Sequence, residues 1–258
     1  MTAPTHSWMH VVEHHARQTR YAWRGIVISG VLNPVFTMLA LGWGVGALVD
    51  DPISLGTQDF MHFVGPGVVA GSALLRGGFY SLWEALAALR WEGMYKNSVR
   101  TPASHVDVLT GRLVWGFLRF TFSAALFCVV LLALIDWKGW LALAAAPVAG
   151  LTGLAVAAPV LAYSARQEND GAFSLLSRML LTPLFVFSGT FTPVDSMPSA
   201  VEALVKLFPG YHGIELCRDL LNARAALGGS LSHLAVIAAW TVGGWFFARN
   251  AFAKALTR

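Results

Sequence analysis

Six stretches of about 20 mostly apolar residues divide this chain, and that is the length at which a helix covers the hydrocarbon core of a bilayer. Spans are expected over residues 25–49, 60–82, 113–135, 140–163, 173–191 and 231–248. The runs are continuous rather than alternating, so they read as helices and not as barrel strands. Only 12% of the 258 residues are charged, about half of what a soluble domain carries. The expected fold class is an all-α membrane protein, a single transmembrane domain over residues 1–258.

The cations set the expected orientation. Arg17, Arg20 and Arg24 precede the first span. Arg90, Lys96, Arg100 and Arg112 lie in the connection over residues 84–112, Arg166 and Arg178 in the next on that side, and Arg249, Lys254 and Arg258 in the tail. Only Lys138, Lys206, Arg218 and Arg224 fall on the other side. The bias places both termini in the cytoplasm of a multi-pass protein of a bacterial-type cytoplasmic (plasma) membrane. The same scatter of cations between apolar runs argues against nucleic acid as a partner, because no basic face is formed.

Residues 1–24 are not a span. On a helical wheel Trp8, Met9, Val11, Val12, Ala16, Thr19, Ala22 and Trp23 share one side, while His10, Glu13, Arg17, Arg20 and Arg24 share the other. This predicts an interfacial amphipathic helix, Trp8 toward lipid and Arg17, Arg20 and Arg24 toward headgroups. An ordinary helix packed on a protein partner is the alternative. The segment lacks the apolar core and small-residue cleavage site of a signal peptide.

Catalytic patterns are scarce. The chain has no GxxxxGK[ST] loop, no HExxH and no GxSxG. His6, His10 and His14 recur every four residues but belong to the polar side of the amphipathic helix, and no metal site is expected. Cys128 and Cys217 have no CxxC spacing, and no disulfide is expected. Gly42 with Gly46, and Gly67 with Gly71, read as close helix packing. Arg76 lies inside an apolar run, where charge is expensive. It is read as a contact to an anionic substrate, as a salt bridge across the bundle, or as a side chain snorkelling to the cytoplasmic surface.

Two connections carry more information. Residues 84–112 combine charged and aromatic residues with a Thr101-Pro102 break, which predicts a short amphipathic helix suited to docking a soluble protein. Residues 181–224 carry Pro183, Pro193, Pro198 and Pro209 through a semi-apolar stretch. They read as an outer segment that dips into the membrane and returns, or as a cap lying on its surface.

On these two blocks the chain resembles the ABC-2 type permeases, particularly those exporting nodulation factors and the related drug, O-antigen and teichoic-acid exporters. Trp91-Glu92-Gly93 through Thr101-Pro102 and Gly111 are similar to that family's coupling segment. Pro183 to Pro198, with Ser188-Gly189, is similar to its outer re-entrant helical hairpin between spans five and six. Pro209 followed by Glu215-Leu216-Cys217-Arg218 is similar to its approach to the last span.

The resemblance implies a non-catalytic permease subunit of an ATP-driven exporter. It implies a second permease chain, identical or homologous, and two ATP-binding cassette subunits that bind ATP and Mg, leaving no cofactor in this chain. It assigns ATPase coupling to Arg90, Glu92, Gly93, Met94, Tyr95, Lys96, Asn97, Thr101 and Pro102. It puts the substrate path between spans one, two and five, with Arg76, Phe185, Phe187, Ser188 and Phe191 as candidate gate or path residues, aromatic packing being the alternative for the phenylalanines. The cargo stays open among drug, lipid and glycolipid-like molecules. Two other readings compete: a membrane-embedded enzyme acting on lipid or isoprenoid-linked substrates through Arg76, Glu84 and His105, and a secondary carrier or channel.

Overall fold

The computed structural model describes residues 7–44, 60–91, 103–134, 140–224 and 227–257. Every regular element among them is helical: α1 (Ser7–Gly44), α2 (Phe60–Phe79), α3 (His105–Leu134), α4 (Ala145–Ser164), α5 (Phe173–Thr190), α6 (Ser199–Leu207), α7 (Pro209–Leu221) and α8 (Leu227–Thr257). Among the described residues four segments are long and apolar enough to cross a membrane: His105–Ala133, Ala142–Ser164, Phe173–Thr190 and Gly228–Ala255. They coincide with the four expected over 113–135, 140–163, 173–191 and 231–248. The segment expected over 60–82 is helical, but His62, Pro66 and Arg76 dilute it, and residues 45–49 of the first lie outside the described residues.

α4 is the axle of the bundle. It packs against α2, α3, α7 and α8. Its sequence is mostly alanine, glycine and valine with apolar residues all the way round, as a helix enclosed on every side requires. Small residues let backbones approach, which is how helices associate where lipid removes the hydrophobic drive between them. Gly77 on α2 meets the Gly153 backbone on α4, Gly150 meets Thr121 of α3, and Gly213 of α7 meets Thr152 of α4. Gly67 and Gly71 pack as their spacing predicts, against the Thr190 backbone and the Phe185 ring of α5.

Three boundaries differ from expectation. α1 is one uninterrupted helix, with no break between residues 24 and 25; 38 residues make it about 57 Å long. The connection over 84–112 is shorter than expected, because helix intrudes from both ends. Two π-helical turns, Tyr80–Glu84 and Ala87–Trp91, carry α2 onward, and α3 starts at His105. That start has a reciprocal cap: the Ser104 amide donates to Asp107 Oδ2 at 2.9 Å, and the Asp107 amide donates to Ser104 Oγ at 3.2 Å.

The chain between α5 and α8 turns twice. At Gly189 the backbone takes φ +90°, which side chains other than glycine rarely adopt, and α5 ends there. After the 3-10 turn Val194–Ser196 and α6, α7 runs antiparallel along α2. Gly210 abuts Leu74 and Ser188. At the far end Arg218 Nη2 donates to the Phe63 carbonyl at 3.5 Å, and Asn222 Nδ2 to that of His62 at 3.4 Å.

Candidate functional site

The site grows from one stripe of α2 and its π-helical continuation. Val68, Ser72, Leu75, Arg76, Phe79, Tyr80, Trp83 and Glu84 recur at helical spacing, so they share a face. With Thr37 of α1, Arg119 and Phe120 of α3, and Phe185 of α5, they line a cleft of about 440 Å³, the size range of small-molecule pockets.

Its polar groups are specific. Arg76 Nη1 donates to Ser123 Oγ at 2.6 Å, and Nη2 to Ser72 Oγ at 3.5 Å. Arg119 Nη1 donates to both Glu84 oxygens at 3.0 Å. The Arg119 guanidinium also lies 5.2 Å from the Tyr80 ring centroid. Arg112 approaches the same ring at 4.2 Å and donates from Nη2 to the Tyr80 carbonyl at 2.9 Å. Two guanidinium groups thus flank the Tyr80 ring, and Arg76 lines the same cleft. In the same lining Phe79 and Trp83 stack with centroids 5.5 Å apart, Phe79 being exposed.

This corrects the placement of two residues. Glu84 and Arg112, expected in a cytoplasmic loop, belong to the bundle; Arg112 is fully buried. Arg218, counted as an outer cation, is also largely buried. It pairs with Glu215, donates to the Gly189 carbonyl at 2.7 Å and lies 4.0 Å over the Phe63 ring. These positions had readable signals. Ser104-x-x-Asp107 is a capping-box spacing that moves the start of α3 ahead of residue 113. Arg112, Arg119 and Ser123 then fall on one helical face, as Ser72, Arg76 and Glu84 do on another.

The expected site residues scatter. Arg76 and Phe185 share the cleft, and Phe185 meets Phe191 edge-on at 5.3 Å. Phe187 is exposed away from it, and Ser188 is buried with its hydroxyl bonded back to the Leu184 carbonyl. Glu92, Gly93, Met94, Tyr95, Lys96, Asn97, Thr101 and Pro102 lie outside the described residues, and of Arg90 only the helical backbone is described. Of the three residues weighed for lipid chemistry, His105 does not line the cleft. Among the described residues no cluster of His, Cys, Asp and Glu could hold a metal. Both cysteines are buried and free.

The apolar side of the N-terminal helix splits. Val11 is buried at Gly111 of α3, and the Trp8 carbonyl lies there too, whereas Met9 and Trp23 are exposed. Arg17 pairs with Glu13 at 2.6 Å, Arg20 is exposed, and Arg24 lies 5.7 Å from the Trp23 ring. His15 stacks on Trp115 at 6.5 Å and is buried. Burial, then the positive fields of Arg112, His14 and Arg119, pull its pKa down to about 3, against an opposing hydrogen bond with Gln18. The undocked ring takes a proton below about pH 6.5, and the docked ring does not until about pH 3. Docking is therefore full above pH 6.5 and weakens as pH falls, by up to about 2 kcal/mol at pH 5. Amide exchange over residues 8–20 is expected to accelerate between pH 6.5 and 5 beyond the intrinsic pH effect, and His15→Phe to abolish that extra dependence. An equal pH response in His15→Phe would show that another group controls the contact.

The model of the ABC-2 type transporter family matches residues 12–222, and the chain belongs to that family. It is a membrane-embedded protein of a class whose membrane subunits are typically non-catalytic and work with an ATP-binding cassette partner. Similar curated proteins carry one name. Nodulation protein J of Rhizobium meliloti (strain 1021) is 26% identical over 225 residues, covering 84% of this chain and 82% of its own. Nodulation protein J of Bradyrhizobium diazoefficiens is 24% identical over 263 residues, covering 100% and 97%.

Proposed function

We infer that this chain is the permease subunit of an ATP-driven exporter that moves an amphiphilic drug, lipid or glycolipid-like substrate out of the cytoplasm or inner leaflet. The observation that carries this reading is the amphipathic cleft of Arg76, Glu84, Arg119 and Phe185 inside a helical bundle of the ABC-2 type transporter family. A polar stripe beside a stacked aromatic pair suits a molecule with a polar head and an apolar body.

In this reading α1 and α2 supply two further spans beside the four helices able to cross a bilayer. Both termini are cytoplasmic in a bacterial-type cytoplasmic membrane, and the chain between spans five and six forms an outer re-entrant helical hairpin. The antiparallel course of α7 along α2, from Leu74 to His62, supports the hairpin. Two ATP-binding cassette subunits, holding ATP and Mg, dock at Arg90 to Pro102, and a second permease chain completes the path.

The test is purification with the partner ATPase and transport in vesicles. Glu92→Ala and Tyr95→Ala are each expected to lower transport at least about ten-fold while ATP hydrolysis continues, because a coupling contact transmits motion without performing chemistry. Normal coupling in both variants would remove the role assigned to that segment. Transport by this chain without any ATPase would remove the exporter reading.

A further inference from the structure

We propose that the paired imidazoles of His212 and His233 form a proton-operated latch that fastens the α6–α7 segment to α8 and releases it in acid. This goes beyond the export reading and holds whichever molecule is carried. His212 Nδ1 lies 2.8 Å from His233 Nδ1, and His212 Nε2 lies 2.8 Å from the Lys206 carbonyl oxygen. A carbonyl only accepts, so His212 Nε2 carries a hydrogen and Nδ1 of the neutral ring is an acceptor. His233 Nδ1 is then the donor. The two rings take opposite tautomers, with one hydrogen between them. The chain of bonds runs from α8 through α7 to the last turn of α6.

Protonation acts on this tie and spares its neighbour. About two turns further along α8, Trp240 Nε1 donates to the Leu207 carbonyl at 2.9 Å, and its ring stacks on Phe208 with centroids 5.5 Å apart. An indole does not titrate. The histidine pair tolerates one added proton, because an imidazolium donates to its neutral neighbour. Two added protons put an N–H on both facing nitrogens and a positive charge on both rings, so the bond is lost and the rings repel. The pair titrates as a unit. Burial pulls the His212 pKa below its ordinary 6.5, with the Lys206 carbonyl opposing and the charge of His233 adding to the fall. A released ring takes the second proton more readily than a latched one. The latch is therefore closed at pH 6.5 and above and is lost as pH falls further.

The surrounding charges do not hold the doubly protonated pair together. On α6 the Lys206 ammonium is bound to Asp195 at 3.0 Å and to Glu202 at 2.6 Å. On α7 Glu215 pairs with Arg218, and the Tyr211 ring packs 5.2 Å from His212 and 6.0 Å from His233. Asp219 is the acidic neighbour of His233. Burial and Glu215 raise its pKa, with His233, Arg218 and Arg224 opposing, so it loses charge earlier in acid than an ordinary carboxylate. α4 carries no charged residue. α2 turns Arg76 to Ser123 of α3 and brings His62 to the far end of α7, at Asn222.

The experiment uses the full chain in phosphatidylcholine nanodiscs. Imidazole nitrogen NMR at neutral pH is expected to show His212 as the Nε2–H tautomer and His233 as the Nδ1–H tautomer. Amide exchange over residues 204–214 is expected to accelerate at least about five-fold between about pH 6.5 and about pH 4.5, beyond the intrinsic pH effect, while residues 145–164 stay protected. His233→Gln is expected to abolish that acceleration, because an amide side chain can donate to the neutral ring or accept from the protonated one and never gains a charge. Trp240→Phe is expected to raise exchange at every pH and to keep the acid response. No acid acceleration in the unmodified chain, or the same acceleration in His233→Gln, overturns the proposal. So does the finding that both rings are Nε2–H tautomers titrating independently, a result that needs no variant to fold. These readouts use neither ATPase nor substrate, so failure of the export reading would leave them unchanged.

Discussion

Gly77→Val is expected to leave little correctly folded protein. A Cβ on Gly77 would sit 2.1 Å from the Gly153 carbonyl oxygen and 2.8 Å from its carbon. The obstruction is backbone of the central helix, so it cannot rotate aside as a flexible side chain would. The contact is reciprocal, since a Cβ on Gly153 would lie 2.7 Å from the Ala73 carbonyl oxygen. Overpacking costs about 1–3 kcal/mol in ordinary cores and more where nothing yields; here α2 would have to separate from α4. Because α2 and its π-helical continuation carry Ser72, Arg76, Tyr80 and Glu84, the cleft would open with them. The measurement is thermal midpoint and monodispersity in detergent. Gly243→Ala is the control, because nothing lies within 4 Å of the added Cβ and alanine favours the helix. A Gly77→Val protein as stable as that control would contradict the described crossing.

Arg218→Leu is expected to release the segment after α5. Arg218 joins three elements: the Gly189 carbonyl where α5 kinks, Glu215 on its own helix α7, and the carbonyl and ring of Phe63 on α2. Leucine would fill part of the volume but orphan a carbonyl and a carboxylate, at a cost of about 2–5 kcal/mol. Lysine would recover only part of this, because a point charge cannot serve carbonyl and carboxylate in the same forked geometry. Amide exchange over residues 189–222 should rise in Arg218→Leu, less in Arg218→Lys, while α3 and α8 stay protected. Uniform exchange across the chain would mean that Arg218 supports the whole bundle rather than this segment.

Much of the bundle was legible in the apolar runs. The expected spans over 113–135, 140–163, 173–191 and 231–248 match four membrane-competent helices closely, since length and hydropathy dominate wherever no charge interrupts. Gly67 and Gly71 were readable as packing positions because small residues four apart make a flat helical face. The cleft was only half legible. Arg76 and Phe185 stood out singly as an intramembrane charge and an aromatic residue near prolines. Glu84 and Arg112 were misplaced because hydropathy treats a charge as the end of a span. Helical hydrogen bonding continued through Glu84 in π-helical turns, and the Ser104–Asp107 cap began α3 before Arg112. The N-terminal helix was legible as amphipathic, but the sequence could not separate a face that meets lipid from one that meets α3.

From sequence alone follow an all-helical chain for lipid, the likeness to the ABC-2 type permeases and the want of a nucleotide-binding loop of its own. Apolar length and motif order are linear properties, so one chain suffices to read them. Tertiary structure alone decided that Arg112 and Arg119 converge on Tyr80, that Glu84 pairs with Arg119 beside Arg76, and that Arg218 holds the Gly189 turn. Those groupings depend on which helix faces cross, and the crossings are set by the backbone contact of Gly77 with Gly153 and by the seats of Gly150 and Gly213 against threonines. Contacts of that kind join residues far apart along the chain, and hydropathy carries no trace of them.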